Sequence, residues 1–194
     1  MKNFFRIQLN PSKISMLLVC FFLFVSGIQA QTLQENDKKL NRETNKILNN
    51  AAEELGENDF ASAEASYRKA VSKNESSTPA RYNMANMYYG KEKPAQATSR
   101  YKQAAKVAET KEDKHNVFHN MGNSYMDQKK YAEAIEAYKN ALRNNPTDEQ
   151  TRYNLALAKK KLEKEQQENE DKEDKKDDQK DKEKEKEDQN KDKK

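Results

Sequence analysis

The sequence predicts an all-α protein: a right-handed α-α superhelix of three helix-turn-helix repeats, closed by a C-terminal cap helix. Composition, a period and a set of packing columns carry this. Only four Gly and four Pro occur in 194 residues, with no Trp, and Ala, Lys, Glu, Asn and Gln abound, which favours helix over sheet. Asn49, Asn83, Asn120 and Asn154 recur at offsets of 34, 37 and 34 residues, each inside a helical pattern. Small and aromatic residues recur in step with them. Stacked units of this kind bury a continuous core and present a groove, so the period points to binding and away from catalysis.

The chain divides into a targeting segment over 1–30, a lead segment over 31–43, a repeat domain over 44–165 and a charged tail over 166–194. Residues 14–28, ISMLLVCFFLFVSGI, are nearly unbroken apolar and follow Lys2, Arg6 and Lys13. A basic start, an apolar run of this length and a small residue at its end read as an export signal cut after Ala30, with Gly27 breaking the apolar helix just before the cut. The run falls short of the roughly 17–25 apolar residues of a spanning helix, so an uncleaved anchor is the alternative. The expected location is the periplasm, or the inner membrane if the anchor is retained. Cys20 is the one cysteine and lies within this run, without the small preceding residue that a lipidation signal needs. A chain starting at Gln31 has no disulfide and no thiol chemistry.

The net charge of +4 suggests a basic protein, but Lys2, Arg6 and Lys13 supply most of it. The tail from Lys159 sets 14 Lys against 15 Asp plus Glu. No nucleic-acid partner is expected from this balance.

The clearest unit is residues 115–148. Counted from His115, Phe118, Met121, Gly122, Tyr125, Ala134, Tyr138, Ala141 and Pro146 fall at positions 4, 7, 8, 11, 20, 24, 27 and 32. Gly122 and Ala134 are small where the two helices of a unit approach. Tyr138 and Ala141 share a face of the second helix. Pro146 closes it. Residues 78–111 repeat the set with Met84, Ala85, Tyr88, Ala97, Tyr101 and Ala104, followed by a three-residue insertion. Residues 44–77 keep Ile47, Ala51, Ala63, Tyr67 and Ala70, while Asn50 and Glu54 replace the expected apolar residues. A cap helix over 149–165 opens in phase with Tyr153, Asn154, Leu155 and Ala156 and then turns polar. From Gln166 onward no apolar residue remains to offset ordering entropy, so disorder is expected there, serving as a spacer or as a weak electrostatic docking arm.

These columns resemble the tetratricopeptide repeat (TPR) pattern. The resemblance implies that the first helices of successive units line a concave groove, with positions 2, 5, 6, 9, 12 and 13 facing a ligand. The candidate partner-binding residues are then Tyr82, Asn83, Asn86, Tyr89, His119, Asn120, Asn123, Tyr153 and Asn154. Each Asn amide offers a donor and an acceptor, which suits the backbone of an extended peptide. The same residues also suit packing between units, and the sequence leaves both roles open. TPR proteins that hold a C-terminal carboxylate use Lys and Arg at positions 2, 5 and 6; this chain has Asn116, His119, Asn120, Gln150, Tyr153 and Asn154 there.

No phosphate loop or nucleophile motif occurs. His115 and His119 stand four apart without the Glu of HExxH or a third ligand by spacing. The expectation is no enzyme, no cofactor and no metal. Signal segment, short repeat array, charged tail and the run YAEAIEAYKNALRNNPTDEQTRYNLALAKKKLEK together resemble the BatC-type TPR proteins of bacterial aerotolerance operons. That resemblance implies an envelope protein beside von Willebrand A-domain partners and a MoxR-type ATPase, with roles in stress tolerance and complex assembly. The expected function is a protein-protein interaction scaffold of the cell envelope binding a protein or extended peptide. The alternative is a membrane-anchored, chaperone-like assembly factor.

Overall fold

A computed structural model describes the backbone of residues 11–191 and the side chains of residues 28–170. Among the described residues there are seven helices and no strand: α1 (Pro11–Gly56), α2 (Phe60–Lys73), α3 (Thr78–Gly90), α4 (Pro94–Val107), α5 (Lys111–Asp127), α6 (Tyr131–Asn144) and α7 (Glu149–Lys191). Helices α1–α2, α3–α4 and α5–α6 pair as hairpins, and α2–α3, α4–α5 and α6–α7 pack where one unit meets the next. This is the stacked α-α superhelix expected from the columns.

Each hairpin turns in the same way. Asn58, Glu92 and Lys129 occupy the equivalent middle position of the three turns with φ of 62°, 56° and 57°. The N–H of the following residue reaches back five residues in every case: Asp59 to Glu54 O at 2.9 Å, Lys93 to Tyr88 O at 3.0 Å and Lys130 to Tyr125 O at 2.9 Å. This left-handed closure satisfies the last carbonyls of the first helix, a position where glycine is usual and none stands here. Side-chain caps start α2, α3 and α5: Asp59 accepts from Ser62 N at 3.1 Å, Ser77 from Ala80 N at 3.2 Å and Thr110 from Asp113 N at 3.0 Å, as N-caps do, whereas α4 and α6 begin without one.

The core is built from the repeat columns. Ala63, Ala97 and Ala134 are fully buried, as are Ala70, Ala104 and Ala141, and Tyr67, Tyr101 and Tyr138 lie between them at 3%, 0% and 1% exposure. A small residue on either side of each ring is what allows the paired helices to close on it. Gly122 is small where α5 meets α6, as the sequence suggests. A Cβ there meets Tyr138 Cε1 at 2.5 Å and Cδ1 at 2.6 Å, so the gap serves the tyrosine ring.

The two ends depart from expectation. Residues 1–10 and the side chains of 11–27 lie outside the described residues, so the signal segment is described only as backbone. That backbone passes through Gly27 as helix, where a break was expected. One glycine costs about 1 kcal/mol against alanine, too little to interrupt a long helix. Among the described residues no helix is long and apolar enough to cross a membrane. At the other end the helix expected to stop near residue 165 continues as α7 to Lys191, so most of the tail expected to be disordered is helical. Lys, Glu and Gln lose little rotamer freedom in a helix, and opposite charges four apart support it. Lys164 and Glu168 form one such pair at 3.6 Å.

Gly122→Ala is expected to destabilise the fold by about 1–2 kcal/mol. The gain in helix propensity is outweighed by displacing the buried Tyr138 ring. Urea denaturation of both forms measures this; an unchanged or higher midpoint contradicts it.

Candidate functional site

The groove residues are held by two copies of one hydrogen-bond relay. In the second unit, Tyr101 donates its hydroxyl to Asn86 Oδ1 at 2.5 Å. Asn120, from the third unit, donates Nδ2 to the same oxygen at 3.4 Å and to the Tyr82 hydroxyl at 2.7 Å. In the third unit, Tyr138 donates to Asn123 Oδ1 at 2.7 Å, and Asn154 from α7 donates Nδ2 to that oxygen at 3.1 Å. A buried tyrosine, an asparagine at position 9 and an asparagine at position 6 of the next unit thus form one chain. Burial drives the phenols of Tyr101 and Tyr138 up, so both remain protonated donors.

The relay fixes the amide orientations. Asn86 and Asn123 accept through Oδ1, which leaves Nδ2 unspent. Asn120 and Asn154 donate through Nδ2, which leaves Oδ1 unspent. Each of these four amides therefore gives one polar atom to the stack, while the other makes no hydrogen bond among the described residues.

The other candidates are placed differently. Asn83 is half-buried and has no side-chain hydrogen bond among the described residues. Tyr82 packs its ring 5.9 Å from Tyr101. Tyr89 is half-buried beside Asp127; burial first, then that carboxylate, pushes its phenol up to about 12. Tyr153, on α7, is 69% exposed; among the described residues the other large apolar side chains left in water are Ile28 and Leu33 on α1. Asn49, the first of the ladder, is exposed.

His119 belongs to a second cluster at the α5–α7 joint. Its Nδ1 lies 2.6 Å from Thr151 Oγ1, and Thr151 donates in turn to Asp148 Oδ2. Asp148 also caps α7 by accepting from Thr151 N at 2.9 Å. His115 Nδ1 donates to Ala141 O at 3.2 Å, which sets its tautomer, and its Nε2 stands 3.5 Å from Asp148. Burial lowers the His119 pKa; the Asp148 charge opposes this and His115 adds to it. Hydrogen bonds from Thr151 hold Asp148 below the usual carboxylate range. Among the described residues no group of three or more His, Cys, Asp or Glu is arranged to hold a metal ion.

Sequence reasoning missed Tyr101, Tyr138, Thr151 and Asp148 as members of these networks. A signal was present. The position-24 column is Tyr in all three units, and a buried hydroxyl requires a partner.

Asn123→Ala removes the acceptor of two groups at once and is expected to cost about 2–3 kcal/mol. Urea denaturation measures it, and a loss below that of an exposed-site control contradicts the relay. The lowered His119 pKa also sets a pH dependence. The unfolded chain takes the proton first as pH falls below 6.5, so the stability supplied by neutral His119 is complete above that value and declines beneath it. The unfolding midpoint should fall between pH 6.5 and 5 in the wild type and fall less in His119→Gln. Parallel curves refute it.

A sequence profile described as "TPR repeat" matches residues 122–162. No curated protein matches the chain. Among solved structures, the N-terminal domain of stress-induced protein-1 from C. elegans aligns at 18% identity with a TM-score of 0.57, over 62% of this chain and 97% of that one. The Sgt2 TPR domain from Aspergillus fumigatus aligns at 18% identity and 0.56, over 64% and 82%. The second TPR domain of human RPAP3, in complex with the HSP70 peptide SGPTIEEVD, aligns at 17% identity and 0.55, over 62% and 98%. The chain therefore has the TPR-like superhelical fold, and over residues 122–162 it carries the sequence signature of the TPR repeat itself.

Proposed function

We propose that this protein is a non-enzymatic interaction scaffold of the bacterial cell envelope, which holds an extended segment of a partner polypeptide in its concave groove. The observation that carries the reading is the row of half-spent amides on α3, α5 and α7. Each leaves one donor or acceptor free beside the aromatic area of Tyr82, Tyr89 and Tyr153. A peptide backbone has donors and acceptors of the same kind and strength. Tyr supplies rigid contact area at small entropic cost.

Solved TPR domains of the same fold bind peptides; the human RPAP3 domain holds SGPTIEEVD. The groove of this chain suits a different segment. With Asn, His, Gln and Tyr where a carboxylate clamp needs Lys and Arg, a neutral or internal segment fits better than an acidic C-terminus. The resemblance to aerotolerance-operon TPR proteins makes von Willebrand A-domain envelope proteins the first partners to test, in stress-related complex assembly.

A second reading keeps the apolar N-terminus as an anchor on a chaperone-like assembly factor. The helix that runs without a break from Pro11 through the expected cut after Ala30 favours it. Purifying the native protein from the envelope and sequencing its N-terminus separates the two, since a start at Gln31 requires cleavage.

Tyr153→Ala removes exposed aromatic area and is expected to leave the unfolding midpoint within about 0.5 kcal/mol of wild type. Capture of the envelope partner should weaken about tenfold, as loss of an aromatic anchor does. Unchanged capture at unchanged stability refutes the groove as the binding surface.

A further inference from the structure

The outer face of the stack carries a positive charge that the neighbouring helices do not answer. First helices approach one another across units, α1 with α3, α3 with α5 and α5 with α7, whereas the backbones of α2, α4 and α6 stay apart. The second helices therefore lie on the wider, convex side, away from the groove. Helix α4, PAQATSRYKQAAKV, has no acidic residue, and α2 has Glu64 alone. Arg68 holds Glu64 at 2.6 Å, and Lys73 pairs with Glu43 of α1 at 2.6 Å. Arg100, Lys102 and Lys106 of α4 form no ion pair among the described residues, although Glu92 and Glu109 stand at the two ends of that helix. Ala95, Ser99, Lys102 and Lys106 are exposed and follow one another at helical spacing. One side of α4 thus presents small side chains and then two cations.

The opposite charge lies on α7, past its last contact with the stack. Leu162 is the last side chain of α7 packed on the core. From Glu163 to Asp174 seven acidic residues stand against Lys164 and Lys172, so a tail that is near neutral as a whole opens with an acidic block. Glu163, Glu165 and Glu170 are exposed and unpaired among the described residues; Lys164 takes only Glu168, at 3.6 Å. Helix α7 packs on α5 and α6 and not on α4, so the two surfaces do not meet in that packing.

We propose that the acidic stretch of α7, residues 163–174, docks on the α4 face of a second copy of this chain. Each copy offers one surface and accepts the other, so the contact is heterologous. A lone surface ion pair contributes little, but a row of them on two facing helices acts as a network. The contact uses the convex side and stands independently of the peptide reading of the groove.

The test is sedimentation velocity of the full chain in a non-ionic detergent, over a concentration series in about 0.05 M and about 1 M NaCl, where the screening length falls to about 3 Å. Self-association is expected in low salt, with a dissociation constant at least about tenfold higher in high salt. Lys102→Glu with Lys106→Glu should abolish it, and so should Glu165→Lys with Glu170→Lys. Mixing these two double variants should restore it, because every contact between them again joins opposite charges. A wild type that stays monomeric in low salt overturns the proposal. So does association that persists in high salt or in either double variant alone. If the mixture stays monomeric while both variants keep the helical circular dichroism of wild type, the two surfaces do not meet and the proposal fails. None of the substituted residues lies in the groove, so none of these outcomes decides the peptide reading.

Discussion

The bond from a buried tyrosine to the asparagine at position 9 organises this stack. Position 24 takes a large ring because two small residues flank it, and the ring carries a hydroxyl into a place without water. Left unpaired, that hydroxyl costs about 1–3 kcal/mol. Asn86 and Asn123 accept it within the unit. A carbonyl oxygen has a second lone pair, and in each case the asparagine of the next unit takes it. A requirement internal to one hairpin thereby fixes the register of two. In a solenoid, where each unit touches only its neighbours, such bonds are the means of propagating order along the stack.

The same bonds decide what the groove can recognise. Because the amides are oriented by the stack, a ligand in the proposed groove would meet donors on Asn86 and Asn123 and acceptors on Asn120 and Asn154. Without Lys or Arg in these columns, attraction is short-ranged and the fit of a neutral backbone outweighs charge steering. Asp113 and Asp127 stand beside Tyr82 and Tyr89, and the long run of mixed charge lies along α7.

The fold was legible because its determinants are periodic. Ala63, Ala97 and Ala134, with Tyr67, Tyr101 and Tyr138, announce two helices closing on a ring, and the columns survive drift elsewhere. The partners of the asparagines were not legible. Whether Asn120 faces a ligand or Asn86 depends on a few degrees of helix rotation, which spacing does not report. Two of the turns were hidden for another reason: Glu92 and Lys129 adopt left-handed backbone without glycine, whereas Asn58 is a residue that favours it. The length of α7 was missed because the argument from missing apolar burial neglects what paired charges and good helix formers contribute locally.

The joints differ in strength along the stack, and the difference bears on where a partner can enter. The joint between α5 and α7 has the Asn123 relay and the His119–Thr151–Asp148 chain. The joint between α4 and α5 has the Asn86 relay and Gln128, whose Nε2 donates to Thr98 Oγ1 at 2.8 Å and Pro94 O at 3.2 Å. The joint between α2 and α3 lacks a relay; Tyr88 donates to Glu64 at 2.7 Å there, and the Phe60 and Tyr88 rings meet edge to face at 5.9 Å. Glu54 Oε2 on α1, Arg81 Nη1 on α3 and Ser124 Oγ on α5 are buried without partners among the described residues, each a local cost. Openings of a solenoid concentrate where neighbour coupling is least. By its hydrogen bonds the first joint is therefore the most weakly coupled of the three.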